Sequence, residues 1–230
     1  RYAFLYLLSV EYATGTSHPL MELPGTEATL EFCPAFAPHG QVCSFGDVAD
    51  WRPLPFHFAA AARFGREDLV RRLTDLADTQ GAPASDAWPN EAELLLLHPG
   101  PIAARRPAPK KNVVQAYRGL HWGYLADRLP ASSLYLAARW GRARIPHGHR
   151  DLLSFFCVAG DEALITVSPH FPYLDSTFGP RRDELFEMTP AAKNTILVNG
   201  LGVTADAEAS GEAVRIGARP GLRIEATDAM

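Results

Sequence analysis

Cysteine is scarce, with only Cys33, Cys43 and Cys157 among 230 residues. Three thiols allow at most one internal disulfide, and none has the close spacing of a zinc knuckle. Neither a disulfide framework nor a Cys-based metal module therefore organises the chain. Long hydrophobic runs are also missing. The stretches Tyr2 to Val10 and Glu93 to Leu97 fall well short of the roughly 18 residues a membrane span takes, which argues against a membrane partner. No basic excess exists, since 22 Lys plus Arg face 26 Asp plus Glu for a net charge of −4. Nucleic acid is excluded as a general partner, and a polyanionic ligand would need a local patch. Gly-rich phosphate loops and nucleophile elbows are absent, which disfavours nucleotide enzymes and serine hydrolases. What remains is 47% hydrophobic and 21% charged, the composition of a folded chain with one large or two modest domains.

The pattern changes midway. The chain opens at Arg1 directly into the apolar run Tyr2 to Leu8 and reads as a piece that starts inside an element, with a helix over residues 1–14. The Ala-rich stretch from about Pro53 to Phe64 reads as a packed helix. Residues 66–79 read as an amphipathic one, with Leu69, Val70, Leu73 and Leu76 on one stripe and Gly81 as its stop. A further helix is expected to run through Leu94 to Leu97 and end at His98-Pro99-Gly100. Between Pro99 and Lys111, four prolines interleave with Arg and Lys, as in a linker. Beyond it, short alternating segments separated by Gly, Pro or Asp indicate an antiparallel sandwich or barrel. These are 113–117, 134–136, 153–158, 163–167, 195–198, 213–216 and 222–225.

The densest polar cluster is His147-Gly148-His149-Arg150-Asp151. In an extended segment, residues two apart point the same way, so His147, His149 and Asp151 are expected to share one face. Such a set can bind a metal, divide base and orienting roles, or form a solvated polar turn.

The sequence around the cluster narrows these readings. His147-Gly148-His149-Arg150-Asp151-Leu152-Leu153-Ser154-Phe155 is followed by the acidic turn and apolar strand Ala159-Gly160-Asp161-Glu162-Ala163-Leu164-Ile165. Arg181-Arg182 to Phe186 and then Ala192-Lys193-Asn194-Thr195-Ile196-Leu197-Val198-Asn199-Gly200 come next, and Ser44-Phe45-Gly46-Asp47 lies upstream. This succession resembles the carboxyl-terminal part of heparinase II/III-like polysaccharide lyases, which join an (α/α) toroid to an antiparallel β-sandwich. The resemblance implies an α+β multidomain chain: residues 1–98 as the end of the toroid, 99–111 as a linker and 112–230 as the sandwich. It also implies a periplasmic or secreted carbon–oxygen lyase that cleaves an acidic, uronate-containing polysaccharide or oligosaccharide by β-elimination.

That chemistry requires a neutralised carboxylate, a base for the adjacent proton and an acid for the leaving oxygen. By resemblance His147 is the base or charge neutraliser, and Tyr173 is a proton donor weighed against a surface tyrosine. The family also implies a structural zinc on the imidazole matching His149, held with a downstream Asp and His. Here those two positions read Thr166-Val167-Ser168-Pro169 and Lys193. Two ligands are lost, so no cofactor is expected, and Lys193 is left as a fixed cation in a polar cluster with His149, Asp151 and Asn194.

Arg139, Arg142, Arg144 and Arg150 surround the cluster and either attract a polyanion or line a solvated sheet edge; Arg144 and Arg150 are the substrate-binding candidates. His121 and Trp122 either face a sugar or belong to a packed strand. Asp47 reads as a turn or helix cap. His18, His39, His57 and His98 read as structural, and His170 has no assigned role. Two other functions compete with the lyase: a catalytically degenerate domain that binds glycan or supports a partner, and a metal-dependent hydrolase built on His147, His149 and Asp151.

Overall fold

The computed structural model describes residues 1–47, 51–81, 93, 97, 100, 108–166 and 173–227. The chain divides into two units, Arg1–Gly40 with Trp51–Ala108, and Gln41–Asp50 with Pro109–Met230. Residues 41–47 thus fold with the sheets rather than with the helices that flank them in sequence. Their side chains explain why: Cys43 is buried with a hydrogen bond to Tyr135, and the Phe45 ring meets Trp122 edge-on at 4.9 Å.

The first unit holds helices α1 (Tyr2–Thr14), α2 (Pro24–Ala35), α3 (Pro55–Arg63) and α4 (Glu67–Gln80). Its core gathers Phe4, Leu7, Met21, Leu30, Phe56, Phe58, Leu69, Val70 and Leu73. The apolar stripe foreseen for α4 is the face it buries. Helix α2 was not foreseen from the sequence; it starts at Pro24, where a missing N–H costs nothing, and carries Pro34 in its last turn. His57 is structural, as expected. Its Nδ1 accepts the Leu54 N–H at 2.9 Å at the start of α3, and burial pushes its pKa down to about 4. Of the helix expected to end near Leu97, only Glu93 and Leu97 lie among the described residues, and both are helical.

The second unit contains two antiparallel sheets. One has the order β1-β2-β3-β5-β6, made of β1 (Lys110–Tyr117), β2 (Trp122–Leu129), β3 (Leu134–Arg139), β5 (Phe155–Ala159) and β6 (Glu162–Ile165). The other has the order β4-β7-β8, made of β4 (Gly141–Arg142), β7 (Glu208–Ile216) and β8 (Arg219–Glu225). Alternation sets which face is buried: Tyr124 and Ala126 of β2, Tyr135 and Ala137 of β3, and Phe156 and Val158 of β5 all point inward. Strands β7 and β8 pack on β1 and β2. The chain switches sheets at Trp140, between β3 and β4, and that ring is 1% exposed. It lies so close to Gly211 of β7 that a Cβ there would come within 2.3 Å of it.

Strand β1 begins at Lys110, inside the expected linker. The strand expected at 195–198 does not form. Only an isolated bridge joins Val198 to Leu201, and Ile196, Leu197 and Val198 are 57%, 44% and 49% exposed. An apolar run without a partner strand has no ladder to satisfy its backbone, so it stays a turn. All three cysteines are free. No helix among the described residues is long and apolar enough to cross a membrane.

Candidate functional site

The His147–Asp151 cluster lies in the connection from β4 to β5. His147 has φ +58° and the segment turns, so the expectation of one shared face fails. His147 is exposed, whereas His149 is 7% and Asp151 0% exposed. Asp151 forms a buried ion pair with Arg139 of β3, and its Oδ2 accepts the Gly46 N–H at 2.7 Å. Burial pushes the Arg139 pKa down to about 10, which leaves it charged at neutral pH. Arg139 is therefore a core anchor rather than a polyanion contact. Gly46 has φ +69°, and a Cβ there would sit 2.8 Å from the His147 carbonyl oxygen. Only glycine fits that approach, and the Asp47 N–H then donates to the same carbonyl at 3.1 Å.

This clamp delivers Asp47 to the exposed histidine. His147 Nδ1 lies 2.7 Å from Asp47 Oδ2, and the Tyr173 hydroxyl donates to that oxygen at 2.8 Å. A carboxylate at Nδ1 fixes the imidazole with its proton on that nitrogen, leaving the Nε2 lone pair to accept one. Burial opposes the Asp47 charge, but hydrogen bonds from His147 and Tyr173 outweigh it and hold its pKa below the ordinary carboxylate range. The same bond to Asp47 raises the Tyr173 pKa, so that phenol keeps its proton and serves as a donor. Exposed Phe178 packs edge-on against both, 5.3 Å from His147 and 4.9 Å from Tyr173. The Arg182 guanidinium stands 5.5 Å from the Phe178 ring centre and donates to the Gly148 carbonyl at 2.7 Å.

His149 belongs to a separate arrangement. Lys193 Nζ lies 2.8 Å from its Nδ1. Burial, followed by the charges of Lys193 and Arg182, lowers the His149 pKa to about 3, and burial lowers that of Lys193 to about 8. Lys193 thus stands beside His149 as expected, but Asp151 is paired with Arg139 instead. An ammonium at Nδ1 takes the position of a ligand and repels a dication, so these residues do not fit zinc. The hydrolase reading fails with it, because Asp151 is sealed in the core away from exposed His147. Replacing Lys193 by Met is expected to raise the His149 pKa, a shift that NMR titration of the imidazole would register. Since the unfolded value is about 6.5, the stability tied to neutral His149 is complete above that pH. It is lost progressively as pH falls toward about 3.

The remaining candidates scatter. Arg144 and Arg150 line one cleft of about 260 Å³. Asn194 holds strand ends, donating to the carbonyls of Phe155 at 3.4 Å and of Thr166. Trp122 opens β2 with its ring on Phe45, in keeping with the packed-strand alternative, and exposed His121 covers Gly141 at the preceding turn. His18 caps a short 3-10 turn by accepting from the Leu20 N–H at 3.2 Å. His98 and His170 lie outside the described residues. Sequence reasoning demoted Asp47 and passed over Phe178 and Arg182 as individual site residues. Only the Gly46-Asp47 pair and the Arg181-Arg182 run signalled them.

No protein-family model matches the chain, and no curated protein matches it. Among solved structures, one titled "Crystal Structure of Heparinase III" aligns over 82% of this chain with a TM-score of 0.56 at 13% identity. The chain spans 28% of the length of that structure's chain. The succession of helices followed by antiparallel sheets is therefore the fold of part of heparinase III.

Proposed function

We propose that the second unit carries the acid–base pair of a polysaccharide lyase that cleaves a uronate-containing glycan by β-elimination. The observation that carries this reading is the single carboxylate oxygen of Asp47 holding both His147 and Tyr173 at an exposed position. His147 Nε2 takes the proton from the carbon beside the uronate carboxylate. The electron pair of that C–H bond forms the new carbon–carbon double bond as the glycosidic oxygen leaves, and Tyr173 protonates that oxygen. Asp47 balances the charge that develops on the imidazole. The proton then returns from His147 to Tyr173 through solvent, and no water is consumed. Phe178 offers an apolar ring for a sugar face, and Arg182 beside it supplies positive charge to an acidic substrate. On the same reading, the protein works in the periplasm or the secreted fraction.

A glycan-binding domain without turnover is the competing role, favoured by Lys193 in the place of a metal ligand. The full-length native protein, incubated with heparan sulfate, alginate and chondroitin, separates the two. Elimination creates a conjugated double bond that absorbs in the ultraviolet. Absorbance that rises for wild type and stays flat for His147→Ala supports the lyase. A flat trace on every glycan, with binding retained, establishes the binding domain instead.

A further inference from the structure

The cleft beside the His147 cluster has a charge surplus that the protein itself does not neutralise. Its walls include Arg144, Ile145, His149, Arg150, Arg182 and Asp183. Arg182 and Arg150 are held by backbone carbonyls, those of Gly148 at 2.7 Å and Asp183 at 3.3 Å respectively. Arg144 reaches the exposed Asp206 carboxylate only at 4.0 Å. Carbonyl oxygens fix a guanidinium in place without cancelling its charge.

Two nitrogens of wall residues, Arg150 Nε and His149 Nε2, are sealed behind the cleft surface without a hydrogen-bond partner among the described residues. Lysine carries only donors, so the Lys193 ammonium makes His149 Nδ1 an acceptor and places the ring proton on Nε2. Both unpartnered nitrogens are consequently N–H donors, and a buried donor without an acceptor is costly. The cleft walls carry three guanidinium groups, Arg144, Arg150 and Arg182, against the single carboxylate of Asp183, so the surplus facing the cleft is positive. Arg182 links it to the acid–base pair, because the same guanidinium stands over Phe178, the ring that touches His147 and Tyr173.

We infer that this cleft is an anion subsite, built by Arg150 and Arg182 with Arg144 at its rim, that holds a sulfate or carboxylate substituent of the bound glycan. The inference rests on the glycan reading above and deepens it: it assigns a specificity site distinct from the pair that moves protons.

Titration calorimetry on the full-length protein tests it with two probes, an alginate tetrasaccharide bearing carboxylates only and a heparan sulfate tetrasaccharide bearing sulfates as well. Arg150→Gln is expected to weaken binding about tenfold, and Arg144→Gln by a smaller factor. A loss confined to the sulfated probe assigns the cleft to sulfate, and an equal loss on both assigns it to carboxylate. Unchanged affinity for both probes in a folded Arg150→Gln protein would overturn the subsite. Should that variant melt early, the Arg144→Gln and Arg182→Lys pair decides on the same criterion. Each arginine variant is measured in a His147→Ala background and compared with His147→Ala alone, which keeps the probes from being cleaved; elimination by the parent protein is read separately, so failure of the lyase reading and failure of the subsite give different results.

Discussion

Asp47→Asn is expected to slow the proposed β-elimination by about 10²–10⁴-fold with the fold retained. The substitution is nearly isosteric, and the main-chain bonds that hold this turn do not involve the side chain: Gly46 N–H to Asp151 and Asp47 N–H to His147. An amide oxygen still accepts from His147 and Tyr173, but it lacks the charge that balances the imidazolium formed when His147 takes up a proton. The amide can also rotate its NH₂ toward Nδ1, which forces the ring proton to Nε2 and removes the base. Either route depresses kcat and leaves KM close to wild type, because Asp47 touches the acid–base pair and not the cationic cleft. Loss of the carboxylate also lowers the Tyr173 pKa toward that of a free phenol, since the bond to Asp47 is its main upward influence. Progress curves on the responsive polysaccharide give kcat and KM, and ultraviolet titration gives the phenol. Full activity in a folded Asp47→Asn protein would return this residue to the turn role that its sequence context favoured.

The fold was legible because both periodicities were clean. Leu69, Val70, Leu73 and Leu76 mark the buried face of α4, and alternation around Tyr135 and Val158 marks the sheet. Ile196 to Val198 shows the limit of that reading, since strand-like composition carries no information about whether a partner edge exists. The proposed acid–base pair was half legible. His147 and Tyr173 are drawn out by the resemblance, but their common acceptor lies 100 residues from the histidine and depends on a glycine at φ +69°. No local pattern encodes a contact of that separation. The shared-face expectation failed for a related reason. Residue parity holds only in extended backbone, and the positive φ of His147 breaks the strand geometry before His149. Charge counting drew attention to the arginines near the cluster but could not rank them. Arg139 is locked on Asp151, whereas Arg150 and Arg182 remain without a carboxylate partner among the described residues.

Arg139→Met is expected to destabilise the second unit by about 3–5 kcal/mol, because it strands the Asp151 carboxylate in the core without its counter-charge. Asp151 is 0% exposed and Arg139 2%, so water cannot replace the lost partner. Protonation relieves a buried lone carboxylate, so Asp151 in the variant binds its proton more tightly folded than unfolded. The deficit should shrink as pH falls toward the ordinary carboxylate range and be largest at neutral pH. Denaturant midpoints at the two pH values measure this directly. Arg139→Met combined with Asp151→Leu removes both charges and should recover much of the stability, though not all, since the Gly46 N–H then loses its acceptor. That residual defect falls on the turn that presents Asp47 to His147. The double variant is therefore expected to fold yet to lose elimination, which separates the pair's support of the core from its support of the site. A change within about 0.5 kcal/mol for Arg139→Met would be the size of an ordinary surface substitution; it would mean that the ion pair contributes little and that the Asp47 turn is held by its backbone bonds alone.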